Sequence, residues 1–170
     1  QLDQPGGRAY TFRDSGFTFD AGPTIITAPF LFEELWQLCG RSLSDDVTLK
    51  SLTPFYRVRF DDGTYIDCSA DQDAMRSQVR AISPADVAGY ERFIAHSEEI
   101  FKVGFEELGH VPFNSWRKMV GVLPDLIRLK SYKTVYGLVS DYVRNEKLRT
   151  VLSFHPLLVG GNPFETTSIY

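Results

Sequence analysis

The sequence predicts an α+β fold, and three observations carry that expectation. Residues 9–13 and 16–20 alternate aromatic with polar side chains around Asp14-Ser15-Gly16, which is the pattern of a hairpin with one aromatic face. A second strand-rich stretch spans Val47 to Cys68 and holds the turn Asp61-Asp62-Gly63. From Asp71 the apolar spacing changes to three and four, so the rest of the chain reads as helical.

The bulk numbers narrow the classes. The chain has 170 residues, room for one ordinary domain or parts of two. Its aromatic content of 14% suits a sizeable core or an apolar cavity lining. A net charge of −4 argues against nucleic acid as the main partner. Cys39 and Cys68 stand outside any Cys-x-x-Cys pattern and no histidine cluster is visible, so two buried, inert thiols and no metal are expected. No apolar run reaches membrane-spanning length, and no signal peptide is visible. The sequence starts at Gln1 without a methionine. It stops just after Asn162-Pro163-Phe164-Glu165, which reads as the opening of a capped helix. An internal fragment of a longer protein is the expectation.

Taken in order, the first element is the hairpin over 9–20, closed by Pro23. Residues 29–39 follow as a helix with Pro29 in the first turn and Gly40 as a left-handed cap. Three strands are expected at Val47–Leu52, Phe55–Phe60 and Thr64–Cys68, as part of an antiparallel or mixed sheet. Asp71 caps a helix to about Ile82, and Ser83-Pro84-Ala85-Asp86 starts another. Val87, Tyr90, Phe93, Ile94, Phe101, Phe105 and Leu108 form its apolar stripe, up to a stop at Gly109.

Residues 116–139 differ in charge. Arg117, Lys118, Arg128, Lys130 and Lys133 face one acid, Asp125, giving +4 there and −8 on the rest. Apolar residues including Trp116 are interleaved, and Pro124 is expected to split the run into two short helices. Such a segment suits an anionic lipid surface; a solvated basic face over ordinary core residues explains it equally. Asp141 to Leu158 reads as one more helix. His155 before Pro156 is either a structural or a catalytic histidine, and Gly160-Gly161 permits close backbone approach.

The stretch Gly6-Gly7-Arg8, with the turn Asp20-Ala21-Gly22-Pro23-Thr24 behind it, invites a functional reading. Successive backbone N–H groups in a glycine turn can form an anion-binding concavity, and arginine adds a bidentate cation. A plain glycine turn beside a surface arginine fits the same residues.

An ordered series of motifs goes further. Gln4-Pro5-Gly6-Gly7-Arg8-Ala9-Tyr10 and Gly16 through Thr27 resemble the near-N-terminal region of the bacterial-type phytoene desaturases. Thr53-Pro54-Phe55-Tyr56-Arg57, Asp86-Val87, Gly89-Tyr90 and Arg92-Phe93 match the same family. So do Phe154-His155, Leu157 through Phe164, Thr166 and Ser168-Ile169-Tyr170. The resemblance covers essentially the whole chain.

That resemblance implies a fragment of a two-lobed FAD-dependent oxidoreductase. It would hold part of a Rossmann-like FAD domain (1–28), part of a mixed substrate-domain sheet (29–82), a mostly helical membrane-associated region (83–158) and the start of a return segment (159–170). The family's Gly-x-Gly-x-x-Gly lies upstream of its Gly-Gly-Arg and is absent from this sequence. Gly6, Gly7, Arg8, Asp20, Gly22, Pro23 and Thr24 are implied as FAD contacts. His155, Leu158, Gly160 and Asn162 are implied along a substrate tunnel. Trp116, Arg117, Lys118, Arg128, Lys130 and Lys133 would face the membrane.

The implied reaction removes two hydrogens from adjacent carbons of a C40-type polyene precursor such as phytoene, with the cofactor carrying the redox chemistry. The hydrophobic polyene and a membrane surface are the implied partners, at the cytoplasmic side of a bacterial inner membrane. The resemblance names no catalytic acid or base. Two alternatives remain: a carotenoid isomerase or other-substrate desaturase of the same fold, and a non-enzymatic carrier similar to the GDP-dissociation inhibitors.

Overall fold

The computed structural model describes residues 7, 9–20, 22, 25–109 and 115–169, apart from the side chains of Lys118 and Val159. The chain forms two compact units, within residues 1–50 and 51–170.

In the first unit, β1 (Thr11–Asp14) pairs antiparallel with β2 (Phe17–Asp20), and Phe12 lies directly opposite Phe19. Ser15 (φ +50°) and Gly16 (φ +83°) close the hairpin with the two positive φ values that a two-residue loop of right-twisted strands requires. The rings of Phe12 and Phe19 stack at 5.1 Å, so the expected aromatic face is present. Helix α1 (Pro29–Leu38) ends in a Schellman cap: Gly40 (φ +69°) donates to the Gln37 carbonyl and Arg41 to that of Trp36. Its indole Nε1 donates to Asp46 at 2.7 Å, and the Arg41 guanidinium meets the same carboxylate, also at 2.7 Å. Contrary to expectation Cys39 is exposed, because it sits at the C-cap on the open side of the helix end, while Cys68 is buried.

The second unit holds the core. Strands β3 (Tyr56–Arg59) and β4 (Tyr65–Cys68) form a two-stranded antiparallel sheet with Arg57 opposite Asp67. Their side chains make a two-pronged ion pair, and the guanidinium lies 4.1 Å from the Tyr65 ring centre. Val47–Leu52 is not a strand: no pairing partner stands beside it among the described residues, and an unpaired segment has nowhere to place its backbone hydrogen bonds.

The inward residues Ile66 and Cys68 pack against Met75 and Val79 of α2 (Gln72–Ile82), Tyr90 and Phe93 of α3 (Val87–Phe101), and residues of α5 (Val135–Tyr142) and α6 (Glu146–Ser153). The Asp71 carboxylate caps α2 by accepting the N–H groups of Asp73 and Ala74. The apolar stripe of α3 differs from the one its period suggests. Beyond Phe101 the helix widens to a π-helix over Lys102–Glu107, burying Ile100 and Val103 and leaving Phe101 and Phe105 exposed and stacked on each other at 5.2 Å.

Helix α4 (Trp116–Arg128) carries Pro124 inside it rather than breaking there. Proline deprives the Val120 carbonyl of its usual donor, and Val120 lies on an exposed face where water can substitute. The single helix expected over 141–158 is instead α5, an extended break at Val143, α6, and a 3₁₀ turn over His155–Val159. The break has a cause. Buried Asp86 accepts the backbone N–H groups of Arg144 and Asn145, each at 2.9 Å, and Asn145 then caps α6. The predicted helix opening at Asn162 is a single turn. The chain then runs back to bridge Thr167 with Thr134.

Candidate functional site

The residues expected to contact a cofactor fall in the first unit. Gly7 is exposed, has φ +55° and would have open space around an added Cβ, the backbone freedom that close approach of a bound group needs. Asp20 ends β2 opposite Thr11 and is exposed, as is Gly22. Gly6, Arg8, Pro23 and Thr24 lie outside the described residues. A cleft in this unit is lined by Glu33, Gln37, Arg41, Leu43, Val47 and Leu49, and of the described cofactor candidates neither Gly7, Asp20 nor Gly22 borders it.

The residues expected on the substrate side lie in one loop of the second unit. His155 opens the 3₁₀ turn and Leu158 stands on it, 68% exposed. Gly160 (φ +80°) ends the turn by donating to the Leu157 carbonyl, and Gly161 donates to that of Pro156. A Cβ on Gly161 would come within 2.9 Å of Thr166 Oγ1, so the return of the chain is tightly closed there. Asn162 Oδ1 accepts the Phe164 N–H. Leu157 and Phe164 are exposed with Leu158, and Phe164 packs on Tyr136 with ring centres 4.6 Å apart.

The expected lipid-facing set divides. On α4 the residues Trp116, Met119, Val120, Leu123 and Ile127 recur at three- and four-residue spacing, and all are exposed. Arg117 lies beside the Trp116 ring and makes no ion pair among the described residues. Three further cations of the set are engaged internally. Arg128 meets Glu99 and Asp125, and Lys130 and Lys133 both reach Asp141. Lys133, hydrogen bonded to Asp141, holds that carboxyl below its ordinary pKa, and Lys130 adds to the effect. No helix among the described residues is long and apolar enough to cross a membrane. Nor do three or more His, Cys, Asp or Glu side chains gather as a metal site among them.

Sequence reasoning missed two polar junctions. Asp86 is one; it read only as an early acid of a helix. The second joins His96 of α3 to Tyr142 of α5, with His96 Nδ1 2.5 Å from the Tyr142 hydroxyl and Lys130 Nζ 5.4 Å from that ring centre. Neither leaves a signature in local spacing.

Residues 2–170 match the family described as "Flavin containing amine oxidoreductase". The chain belongs to this family. Among curated relatives it is 48% identical over 170 residues to the lycopene-forming phytoene desaturase of Pantoea ananas, covering all of this chain and 35% of that protein. It is 42% identical over 170 residues to the neurosporene-forming phytoene desaturase of Cereibacter sphaeroides, covering all of this chain and 33% of that protein. Against the zeta-carotene-forming phytoene desaturase of Myxococcus xanthus it is 29% identical over 168 residues, covering 98% of this chain and 32% of that protein. The chain thus spans about a third of the length of the curated relatives it matches. The flavin-family resemblance read from the ordered motifs agrees with this membership.

Proposed function

We propose that the intact protein carrying this chain is an FAD-dependent desaturase of a long, hydrophobic carotenoid precursor such as phytoene. The observation that carries the reading is 48% identity across the full chain to a protein named for that activity. Relatives named as desaturases do not favour the prenyl-carrier reading.

Bound FAD would supply the oxidising power for removing two hydrogens from neighbouring carbons of the polyene. The chain's own part is binding and exclusion of water. Gly6 and Gly7 would let the backbone approach the phosphate side of the cofactor, Arg8 would offer its cation there, and Asp20 to Thr24 would pass near the flavin. The left-handed, open Gly7 is compatible with that role. His155, Leu158, Gly160 and Asn162 would border the polyene, where the neighbouring exposed Leu157 and Phe164 provide apolar surface. These residues position a greasy rod; none is assigned proton transfer.

The substrate lives in a bilayer, so a peripheral lipid contact belongs to the same proposal. The apolar stripe of α4 with Arg117 and Lys118 is the surface for it, at the cytoplasmic face of the inner membrane. Residues 1–28 would contribute to the FAD domain, 29–82 to the substrate domain, and 83–158 to the helical region. The test is to purify the intact protein, measure bound flavin, and incubate it with phytoene in liposomes. Coloured, longer-conjugated products support the reading. A flavin-free protein, or flavin-loaded protein that leaves phytoene unchanged, overturns it; isomerised but unoxidised product would favour the isomerase.

A further inference from the structure

The hairpin of β3 and β4 has two unlike edges. In an antiparallel pair the main-chain groups of successive residues point alternately toward the partner strand and away from it. The Phe60 N–H donates to the Thr64 carbonyl at 2.8 Å, which sets the phase for this register. Tyr56 and Val58 therefore bond toward β4, and Ile66 and Cys68 toward β3. The main-chain groups of Arg57 and Arg59 point out at one edge, and those of Asp67 point out at the other.

The β4 edge is closed at Asp67. Gln78 of α2 lays its side-chain amide along it. The Asp67 N–H donates to Gln78 Oε1 and Gln78 Nε2 donates to the Asp67 carbonyl, both at 2.8 Å. One primary amide thus takes both bonds that a neighbouring strand would make there. The β3 edge has no such cover: among the described residues nothing meets the outward main-chain groups of Arg57 and Arg59. A charged side chain can guard an open edge. The Arg57 guanidinium is instead drawn across the sheet to Asp67 and the Tyr65 ring.

Burial follows the same asymmetry. On the core face, Ile66 and Cys68 of β4 are 1% and 3% exposed. Tyr56 and Val58 of β3, with Phe60 beyond them, pack on the same core but are only half-buried. The apolar layer stops short on the β3 side, where one more strand would complete it. The chain spans about a third of the length of its curated relatives, so most of an intact protein of their length lies outside residues 1–170.

We propose that the outer edge of β3 receives a β-strand from the portion of the intact chain outside residues 1–170, so that β3 becomes an interior strand and β4 stays the edge. The incoming strand bonds to the main chain of Arg57 and Arg59, and its alternate apolar side chains cover Tyr56 and Val58. This requires an intact chain of the relatives' length and is independent of the reaction it performs.

Amide hydrogen exchange on the intact protein, resolved to single residues by mass spectrometry, reads the edge directly. Val58 and Phe60, bonded within the hairpin, are the internal reference. The Arg57 and Arg59 amides should be protected with them, at least about tenfold over an unstructured chain. Fast exchange at Arg57 and Arg59 beside slow Val58 and Phe60 overturns the proposal. Gln78→Ala should speed Asp67 exchange about five- to tenfold, the effect of one lost hydrogen bond, and leave Arg57 and Arg59 unchanged. Undiminished protection of Asp67 in that variant would mean that a strand lies on β4, and overturns it as well. Photoreactive p-benzoylphenylalanine in place of Arg59 then identifies the partner, with Arg57 as the labelled position should the first variant not fold. The expected product is a cross-link within one chain to a single segment outside residues 1–170. A cross-link to a second copy or to residues 1–50, or none at all, overturns the proposal.

Discussion

Asp86 accepts the backbone N–H of Arg144 at 2.9 Å across 58 residues of chain, and the residue is only 3% exposed. Its second oxygen takes the Asn145 N–H and the Ser83 hydroxyl. One carboxylate therefore fixes both the start of α3 and the break between α5 and α6.

Asp86→Ala should leave those two backbone donors unpaired and destabilise the fold by roughly 2 to 4 kcal/mol in a urea melt. The same contact sets an acid dependence. Burial alone would raise the Asp86 pKa, but the Arg144 and Asn145 N–H groups with the Ser83 hydroxyl outweigh it and lower the value below 3.8. Its stabilisation is complete above that ordinary value and is lost as pH falls through the folded one. Asp86→Ala should flatten that part of the acid limb; an unchanged limb would refute the assignment.

Gly89 is where α3 meets α5. A Cβ there would lie 2.0 Å from the Tyr142 carbonyl oxygen, and backbone cannot yield as a side chain does. Gly89→Ala should cost about 3 kcal/mol. Gly121 of α4 has nothing within 4 Å of the same position, so Gly121→Ala should stabilise by about 0.5 to 1 kcal/mol. Thermal melts of the pair check both signs.

Lys130 occupies the left-handed position of a second Schellman cap. It has φ +56° and donates to the Ile127 carbonyl, while Ser131 donates to that of Leu126. Glycine fills the equivalent place after α1. The Lys130–Asp141 pair is over a third exposed at the lysine and contributes little, about 0.5 kcal/mol, against about 1 kcal/mol of backbone strain. Lys130→Gly is therefore expected to be neutral or more stable by up to about 1 kcal/mol, and Lys130→Ala less stable than wild type. A large loss in the glycine variant would mean that the side chain matters more than the cap.

For lipid docking, the pairing of Lys130 and Lys133 with Asp141 ranks the cations. Neutralising Arg117 and Lys118 in the intact protein should weaken binding to anionic vesicles by roughly fivefold per charge. Neutralising Lys130 and Lys133 should do distinctly less. Equal losses, or none, count against α4 as the docking face.

The turns and caps were legible because their physics is local. Gly16, Gly40 and Gly63 stand where positive φ is needed, and Asp71 caps its own helix. The overall α+β order and the membership of a flavin family were legible as well. What escaped depends on partners far along the chain. Asp86 looks like a helix-start acid until Arg144 arrives. The charge of Lys133 looks free until Asp141 folds back on it. His96 and Tyr142, 46 residues apart, share no motif. Pro124 looks like a break because sequence does not say that the carbonyl it deprives faces outward. Of the candidate cofactor residues, Gly7 is described with its left-handed backbone, whereas Gly6, Arg8, Pro23 and Thr24 lie outside the described residues.

The π-helix over Lys102–Glu107 holds more residues per turn than the α-helix it continues, and Gly104 lies there against the Ile169 side chain. In evolutionary terms it is a length buffer. Deleting one residue within it can restore ordinary α-helical spacing while keeping Ile100 and the chain beyond Leu108 in phase. Gain or loss of a single residue among related chains should therefore collect in this segment and spare the helices on either side.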